Sequence, residues 1–322
     1  FKNQLTELCS NYGELFCVWF DGACRSKDKL QDYDWDGYYD IIRRLQPEAC
    51  ISICGPDVRW IGNEAGVSRE EEWSVVPRVI MTTERNPGYW RQIDKVPNST
   101  WMDIGSREFI QQYDELIWYP AEVDVSIRPS WGYMKGEAEK LHSLDTLINM
   151  YEKAVGGNAN LLLNVPPNTE GLFDEADVAR LMEMGNEIKR IFSKSQLANA
   201  SAADGKGRDA GAVLNKDRGQ FYEAASEELP AIEIHLTGEK EINLVTIKET
   251  IELGQHIEEF CLEIPAAGGF QEIYRAATVG YQRICRFPTV HTQVLRFRVL
   301  KARGKTSLTE IGIYYDDKHR NL

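Results

Sequence analysis

Histidine is scarce in this chain. There are five in 322 residues, and none precedes His142. No order of Ser, His and Asp suited to a nucleophilic triad stands out. Cationic excess is also missing. Lys and Arg number 37 against 50 Asp and Glu, a net charge of −13. That balance argues against nucleic acid, whose binding is dominated by cationic neutralisation of phosphates, and against anionic membrane surfaces. No apolar run approaches the length of a transmembrane helix. Phosphate-loop and dinucleotide fingerprints are absent, so no cofactor is implied. The cysteines at 9, 17, 24, 50, 54, 261 and 285 are odd in number, and several lie inside apolar runs. They read as small buried hydrophobes. Cys50 and Cys54 are not followed by a second pair at zinc-site spacing, so no metal is implied. The first residues carry neither Met nor a signal peptide and read like the middle of a domain. The compartment is left open, leaning to the cytoplasm.

What is present is ordinary globular material, 43% hydrophobic and 27% charged, long enough for two domains. Four apolar runs have strand character: Leu15–Phe20, Ala49–Cys54, Val123–Ile127 and Leu161–Val165. The first reads as buried on both faces. Helical spacing appears over Tyr38–Leu45, Leu141–Val155 and Ala176–Phe192. Such alternation predicts a parallel sheet with helices outside it, about half of a TIM-like (β/α) barrel. The small polar stretch Ser193–Gly211 reads as a linker or surface loop. Beyond it, short strands at even spacing (Ile232–Leu236, Ile242–Ile247, Ile257–Ile264, Ile273–Gly280, Val294–Leu300) predict a β-sandwich. The expected fold is therefore α/β plus all-β, with a partial barrel over residues 1–200 and a β-sandwich over 205–322.

The first strand run stops at Asp21-Gly22. A carboxylate at the C-terminal end of such a strand lies on the face where α/β barrels keep their chemistry. The loop after the next strand, Gly55–Gly66, concentrates Asp57, Arg59, Trp60 and Glu64. Aromatic rings stack on sugar faces, and Arg donates in a fixed fork. Two carboxylates in one α/β cleft suggest glycoside hydrolysis, one as nucleophile and one as acid/base. Glu122 and Asp124, at the head of the third strand run, read as structural, one of them as a buried ion partner. The aromatics of the C-terminal part (Phe221, Tyr222, Phe260, Phe270, Tyr274, Tyr281) read as core.

Five segments, VWFDGA (18–23), GPDVRWIGNEAG (55–66), EEWSVVP (71–77), WYPAEVDVSIRPSW (118–131) and NLLLNVPPNTEGLFDEADVARL (160–181), together resemble the α-L-fucosidases of glycoside hydrolase family 29. The resemblance runs in order over about residues 10–195. It implies a retaining exo-fucosidase acting on terminal α-linked L-fucose of oligosaccharides or glycoconjugates. Asp21 matches the nucleophile that forms a covalent fucosyl-enzyme, and Glu64 matches the acid/base. Trp19, Arg59 and Trp131 match positions lining the sugar pocket, and Trp60 beside Glu64 completes the expected site. The resemblance leans to α-1,3/1,4 linkages.

Members of this family carry a histidine-bearing pocket wall on barrel strands that precede the nucleophile. No such strands stand before Asp21 here. The expectation is a homo-oligomer that completes the half-barrel, with a separate chain supplying the N-terminal half, or the β domain and helices capping the opening, as the other routes. After SIRP the family often has a further aromatic and a His. This chain has Tyr133-Met134. The competing expectation is a non-catalytic glycan-binding or assembly protein.

Overall fold

The computed structural model describes residues 1–21, 33–53, 55–80, 103–215 and 219–318. Cys24 and Cys54 lie outside them. The described chain forms two compact units. One comprises residues 1–64 and 73–124, the other residues 65–72 and 125–322.

The first unit opens with helix α1 (Lys2–Asn11), an element the sequence reading did not foresee. Leu5 and Cys9, four residues apart, are its buried stripe. Strands β1 (Cys17–Phe20) and β2 (Cys50–Ile53) pair in parallel, with Cys17 opposite Cys50 and Phe20 opposite Ile53. Helix α2 (Trp35–Leu45) connects them. Its N-cap Asp34 accepts a hydrogen bond from the Gly37 amide, and Arg43 and Arg44 occupy its last turn, as the helix dipole favours. Phe20, Trp35, Tyr38, Ile41, Ile42 and Ile51 form the core between these helices and strands. The Phe20 and Trp35 rings meet edge to face at 5.4 Å. The first strand is not buried on both faces as expected. Phe16 is 88% exposed and Trp19 38%. Phe20 enters the core and Val18 packs against it, while the face carrying Trp19 is a polar one.

Four strands follow among the described residues. These are β3 (Arg59–Trp60), β4 (Val75–Pro77), β5 (Leu116–Trp118) and β6 (Ala121–Ser126). Helix α3 (Arg107–Ile110) precedes β5. β3 pairs in parallel with β6, and β4 pairs antiparallel with β5. Every residue of β6 is buried, and the chain passes into the second unit within this strand.

In the second unit, β7 (Ala159–Asn164) lies between helices α4 (Leu144–Ala154) and α5 (Glu175–Ser193) in sequence. Seven antiparallel strands make the large sheet. They are β8 (Ser201–Asp204), β9 (Tyr222–Glu223), β10 (Ala231–Glu249), β11 (Ile257–Ala266), β12 (Gly269–Ala276), β13 (Arg283–Ala302) and β14 (Ser307–Tyr314). Their order is β12-β11-β13-β10-β14-β9, with β8 beside β10. The two strands expected at 232–236 and 242–247 are one continuous strand. Register shifts between His235 and Lys240 and between Ile242 and Leu244 bend it into a sandwich-like sheet. The stretch expected as linker contributes β8, because Ser201–Asp204 finds backbone partners on β10. Of the expected core aromatics, Tyr222 and Phe260 are buried, while Phe221 and Tyr281 are exposed. Phe270 lies under the Arg296 guanidinium, 3.6 Å from ring centroid to carbon. Helices α4 and α5 pack Leu147, Ile148, Met184 and Ile191 against Leu244, Ile284 and Tyr314 of the sheet.

Candidate active site

Strand alternation sets up the site in the first unit. Successive side chains of a strand point to opposite faces. Phe20 faces the helix core, so Trp19 lies on the other side, and Asp21 follows at the strand end. On β6 the same rule puts Glu122 and Asp124 on one face and Val123 on the other. The two polar faces meet. The Trp19 indole donates from Nε1 to Glu122 Oε1 at 2.8 Å, and the Trp60 indole donates from Nε1 to Asp124 Oδ1 at 2.7 Å. Glu122 and Asp124 are each 5% exposed. Each accepts from a tryptophan indole.

Asp21 is exposed at the end of β1, as the sequence predicts. Glu64 is also exposed. It follows β3 in a bend that turns at Gly62, whose φ of +97° lies in the left-handed region. The negative charge of Glu64 reaches Asp124. Burial pushes the Asp124 carboxyl up to about 6, with Glu64 and Glu122 adding to the rise and the Trp60 hydrogen bond opposing it.

Arg59 lies deeper than its sequence role suggests. It is fully buried. Its Nε donates to the Tyr119 carbonyl at 3.1 Å and Nη2 to the Trp73 carbonyl at 3.3 Å. Its backbone amide donates to the Pro120 carbonyl, and that of Ile61 to Glu122. These bonds set the base of the Trp60–Glu64 segment. The approach to it is pinned as well. Tyr119 donates its hydroxyl to the Gly55 carbonyl at 2.6 Å. Asp57 accepts from the Ile51 amide at 2.7 Å and pairs with Arg43. Ile53, at the end of β2, has φ +68°. That conformation costs a β-branched residue about 1–2 kcal/mol, and such strain is often kept at functional strand ends.

Trp131 belongs to the second unit. It is 40% exposed. Its carbonyl accepts from Asn164 Nδ2 at 2.9 Å, and Ser126 Oγ donates to the Ser130 carbonyl at 2.9 Å. Three residues before it, Arg128 is fully buried. Its guanidinium makes a fork to Asp177, with Nε to Oδ1 at 2.9 Å and Nη2 to Oδ2 at 2.6 Å, and Nη2 also reaches Asp174 at 2.7 Å. The neighbouring carboxylates raise its proton affinity, and Arg128 in turn lowers that of Asp174. This anchor was not foreseen. The Arg in SIRP and the two acids of DEAD are its only sequence trace.

Among the described residues, no group of His, Cys, Asp and Glu side chains could hold a metal ion. The described cysteines, Cys9, Cys17, Cys50, Cys261 and Cys285, are free thiols.

The family model for Alpha-L-fucosidase matches residues 1–190. Two plant relatives, from Oryza sativa subsp. japonica and from Arabidopsis thaliana (alpha-L-fucosidase 1), are 33% and 32% identical over 98% of this chain. The chain spans 59% and 61% of their length. Among solved structures, a Ruminococcus gnavus GH29 fucosidase in complex with fucose is similar with a TM-score of 0.83 and 27% identity. It covers 98% of this chain, which in turn covers 65% of it. A Bacteroides ovatus protein crystallised under an alpha-L-fucosidase name is 37% identical with a TM-score of 0.81. It covers the whole of this chain, which spans 52% of it. With the strand-end carboxylate, the acid-bearing loop and this breadth of likeness in one polypeptide, the chain belongs to the alpha-L-fucosidase family, glycoside hydrolase family 29.

Proposed function

We propose that this chain carries the nucleophile and the acid/base of a retaining exo-α-L-fucosidase. The observation behind this reading is the shared polar face. Trp19 and Trp60, which neighbour Asp21 and Glu64 in sequence, are both tied to acids two residues apart on β6. In this reading Asp21 attacks the anomeric carbon of a terminal α-linked fucose, and Glu64 protonates the departing oxygen. A fucosyl–Asp21 ester forms. Glu64 then takes a proton from water, which attacks the same carbon and releases fucose. The Trp19 and Trp60 rings offer apolar faces to the sugar, while Arg59 supports the loop from beneath, and Trp131 keeps the pocket-lining match that the sequence resemblance gives it. The strand–helix order is read as part of a (β/α) barrel, and the linkage as α-1,3 or α-1,4. Residues beyond these 322, from a second copy or from other polypeptide, complete the pocket wall.

A mechanism-based trap tests the reading. A 2-deoxy-2-fluoro-α-L-fucosyl fluoride should label the peptide holding Asp21, seen by mass spectrometry. Hydrolysis of 4-nitrophenyl α-L-fucoside should vanish in Asp21→Gly. In Glu64→Ala, azide should restore turnover of substrates with good leaving groups. A well-folded protein, supplied with a full pocket, that is neither labelled nor active on any fucoside would sink the reading and favour glycan binding without catalysis.

A further inference from the structure

We propose that Ser68 and Asn158 are positioning residues for the acid/base, because they fasten the segment that continues the chain from Glu64. The inference rests on Glu64 being the acid/base, as proposed above.

Residues 65–72 belong to the second unit, although the chain on either side of them belongs to the first. They form neither helix nor strand, so the bonds that hold their backbone come from elsewhere. Gly66 is buried at φ +75°. A Cβ there would stand 3.0 Å from Met150 Cγ of α4 and 3.2 Å from Val125 Cγ1, so glycine lets the backbone lie close to them. The Ser68 hydroxyl donates to the Lys153 carbonyl near the end of α4 at 2.8 Å. A Cβ on Gly157 would collide with that hydroxyl. Further on, Arg283 Nη1 donates to the Glu70 carbonyl at 2.7 Å. The Glu72 carbonyl accepts twice, from Asn158 Nδ2 at 2.9 Å and from Gln255 Nε2 at 3.1 Å.

Asn158 is itself held for this task. It is 4% exposed and has φ +66°, a conformation that Asn tolerates better than most residues. Its Oδ1 accepts from the Tyr281 amide at 2.8 Å, and Gly280 leaves room for its side chain. Buried Glu249 orders both neighbours, accepting from the His256 and Ile257 amides beside Gln255 and from the Gly280 amide beside Tyr281. An exposed segment without regular structure is ordinarily mobile. This one is tied at four positions, and the first of them, Gly66, stands two residues after Glu64. On the other side the Ile61 amide is bonded to the Glu122 carbonyl. Glu64 therefore lies in a short span between two fixed points. A general acid must stay within hydrogen-bond reach of the departing oxygen, and small misplacements are costly.

Amide hydrogen exchange in the full chain reads the fastening without turnover. Asn158→Asp keeps the acceptor for Tyr281 but loses the bonds donated to Glu72 and Gln255. Ser68→Ala loses the bond to Lys153. Each should speed exchange in peptides over residues 61–67 by about 3- to 30-fold, the worth of one to two hydrogen bonds. Val299→Ala, in the core of the large sheet, should lower Tm and leave those peptides unchanged. In active protein, kcat/KM separates leaving groups. Phenyl α-L-fucoside, which needs the acid, should lose about 10-fold in both fastening variants. For 2-chloro-4-nitrophenyl α-L-fucoside, whose phenolate departs unaided, the loss should stay within about 3-fold. Unchanged exchange over 61–67 in both variants overturns the inference, and so does an equal loss on the two substrates. A Glu64→Ala variant that hydrolyses phenyl α-L-fucoside normally, with exchange responding as expected, overturns instead the assignment of Glu64 as acid/base, so the two failures are told apart.

Discussion

Arg128→Met should cost the second unit about 3–5 kcal/mol. The magnitude follows from what the substitution leaves behind. The Arg128 and Asp177 side chains are both fully buried, and the guanidinium fork supplies two of the bonds to that carboxylate. Methionine fills similar volume but leaves Asp177 ionised without its cation, or protonated at a cost of similar size. Asp174, with 23% of its side chain exposed, can turn to water, so Asp174→Ala should cost only about 1–2 kcal/mol. Arg128→Met with Asp177→Leu should recover most of the loss, because replacing both members of a buried pair by apolar groups is often close to neutral. Urea unfolding followed by circular dichroism measures all four proteins. For units of 150–250 residues each kcal/mol shifts Tm by roughly 2–4 °C, so the single variant should melt about 10 °C lower. A loss below 1 kcal/mol in Arg128→Met, or a double variant no better than the single, would refute the argument that this pair is the anchor.

Two further predictions concern single positions. Glu249 is buried, and its carboxylate accepts from the amides of His256, Ile257 and Gly280. Burial pushes it up to about 7 against an ordinary 4.5, with those three amides opposing the rise. A carboxyl whose folded value is raised costs nothing extra below its unfolded value. The penalty grows as pH rises from about 4.5 to about 7, reaching about 3 kcal/mol and staying level above that. Glu249→Gln should therefore flatten the fall in stability over that window, although its amide nitrogen must face at least one backbone N–H. Identical slopes in urea titrations of the two proteins across pH 4–8 would show that Glu249 does not titrate there. Gly55→Ala would place a Cβ 2.2 Å from the Ile51 carbonyl oxygen, a backbone atom that cannot swing aside. It should destabilise the first unit by about 1–3 kcal/mol, and a change within 0.5 kcal/mol would mean that the loop relaxes freely.

How much of this was legible in the sequence depends on the range of each interaction. Asp21 could be placed because the apolar run and its abrupt end are local, and helices α2, α4 and α5 show their 3.6-residue stripes within one window. Helix α1 was missed because its buried stripe is only Leu5 and Cys9. Ser201–Asp204 read as loop because small polar residues favour loops, yet its strand state comes from partners on β10 about thirty residues away. The bulges that fuse 231–249 into one strand leave no local mark of comparable strength. Trp60 and Asp124 are 64 positions apart, and Arg128 and Asp177 are 49. No pattern within a window reports such pairs. Their side chains were visible, but their partners were set by the β3–β6 register and by the return of α5.

The acids of β6 carry the remaining argument. A strand buried at all six positions would be most easily stabilised by apolar residues on both faces, since a carboxylate taken out of water costs several kcal/mol unless its bonds are nearly ideal. β6 instead alternates Glu122, Asp124 and Ser126 with Ala121, Val123 and Val125. Val125 faces a helix-backed core. The apolar half of the strand thus satisfies the fold, and the acidic half exceeds what the fold requires. Indole donors at 2.8 and 2.7 Å reduce that cost. If the acids served only to orient Trp19 and Trp60, glutamine and asparagine at 122 and 124 would do so without a buried charge. That carboxylates stand there instead fits the proposed role of this face beside Asp21 and Glu64.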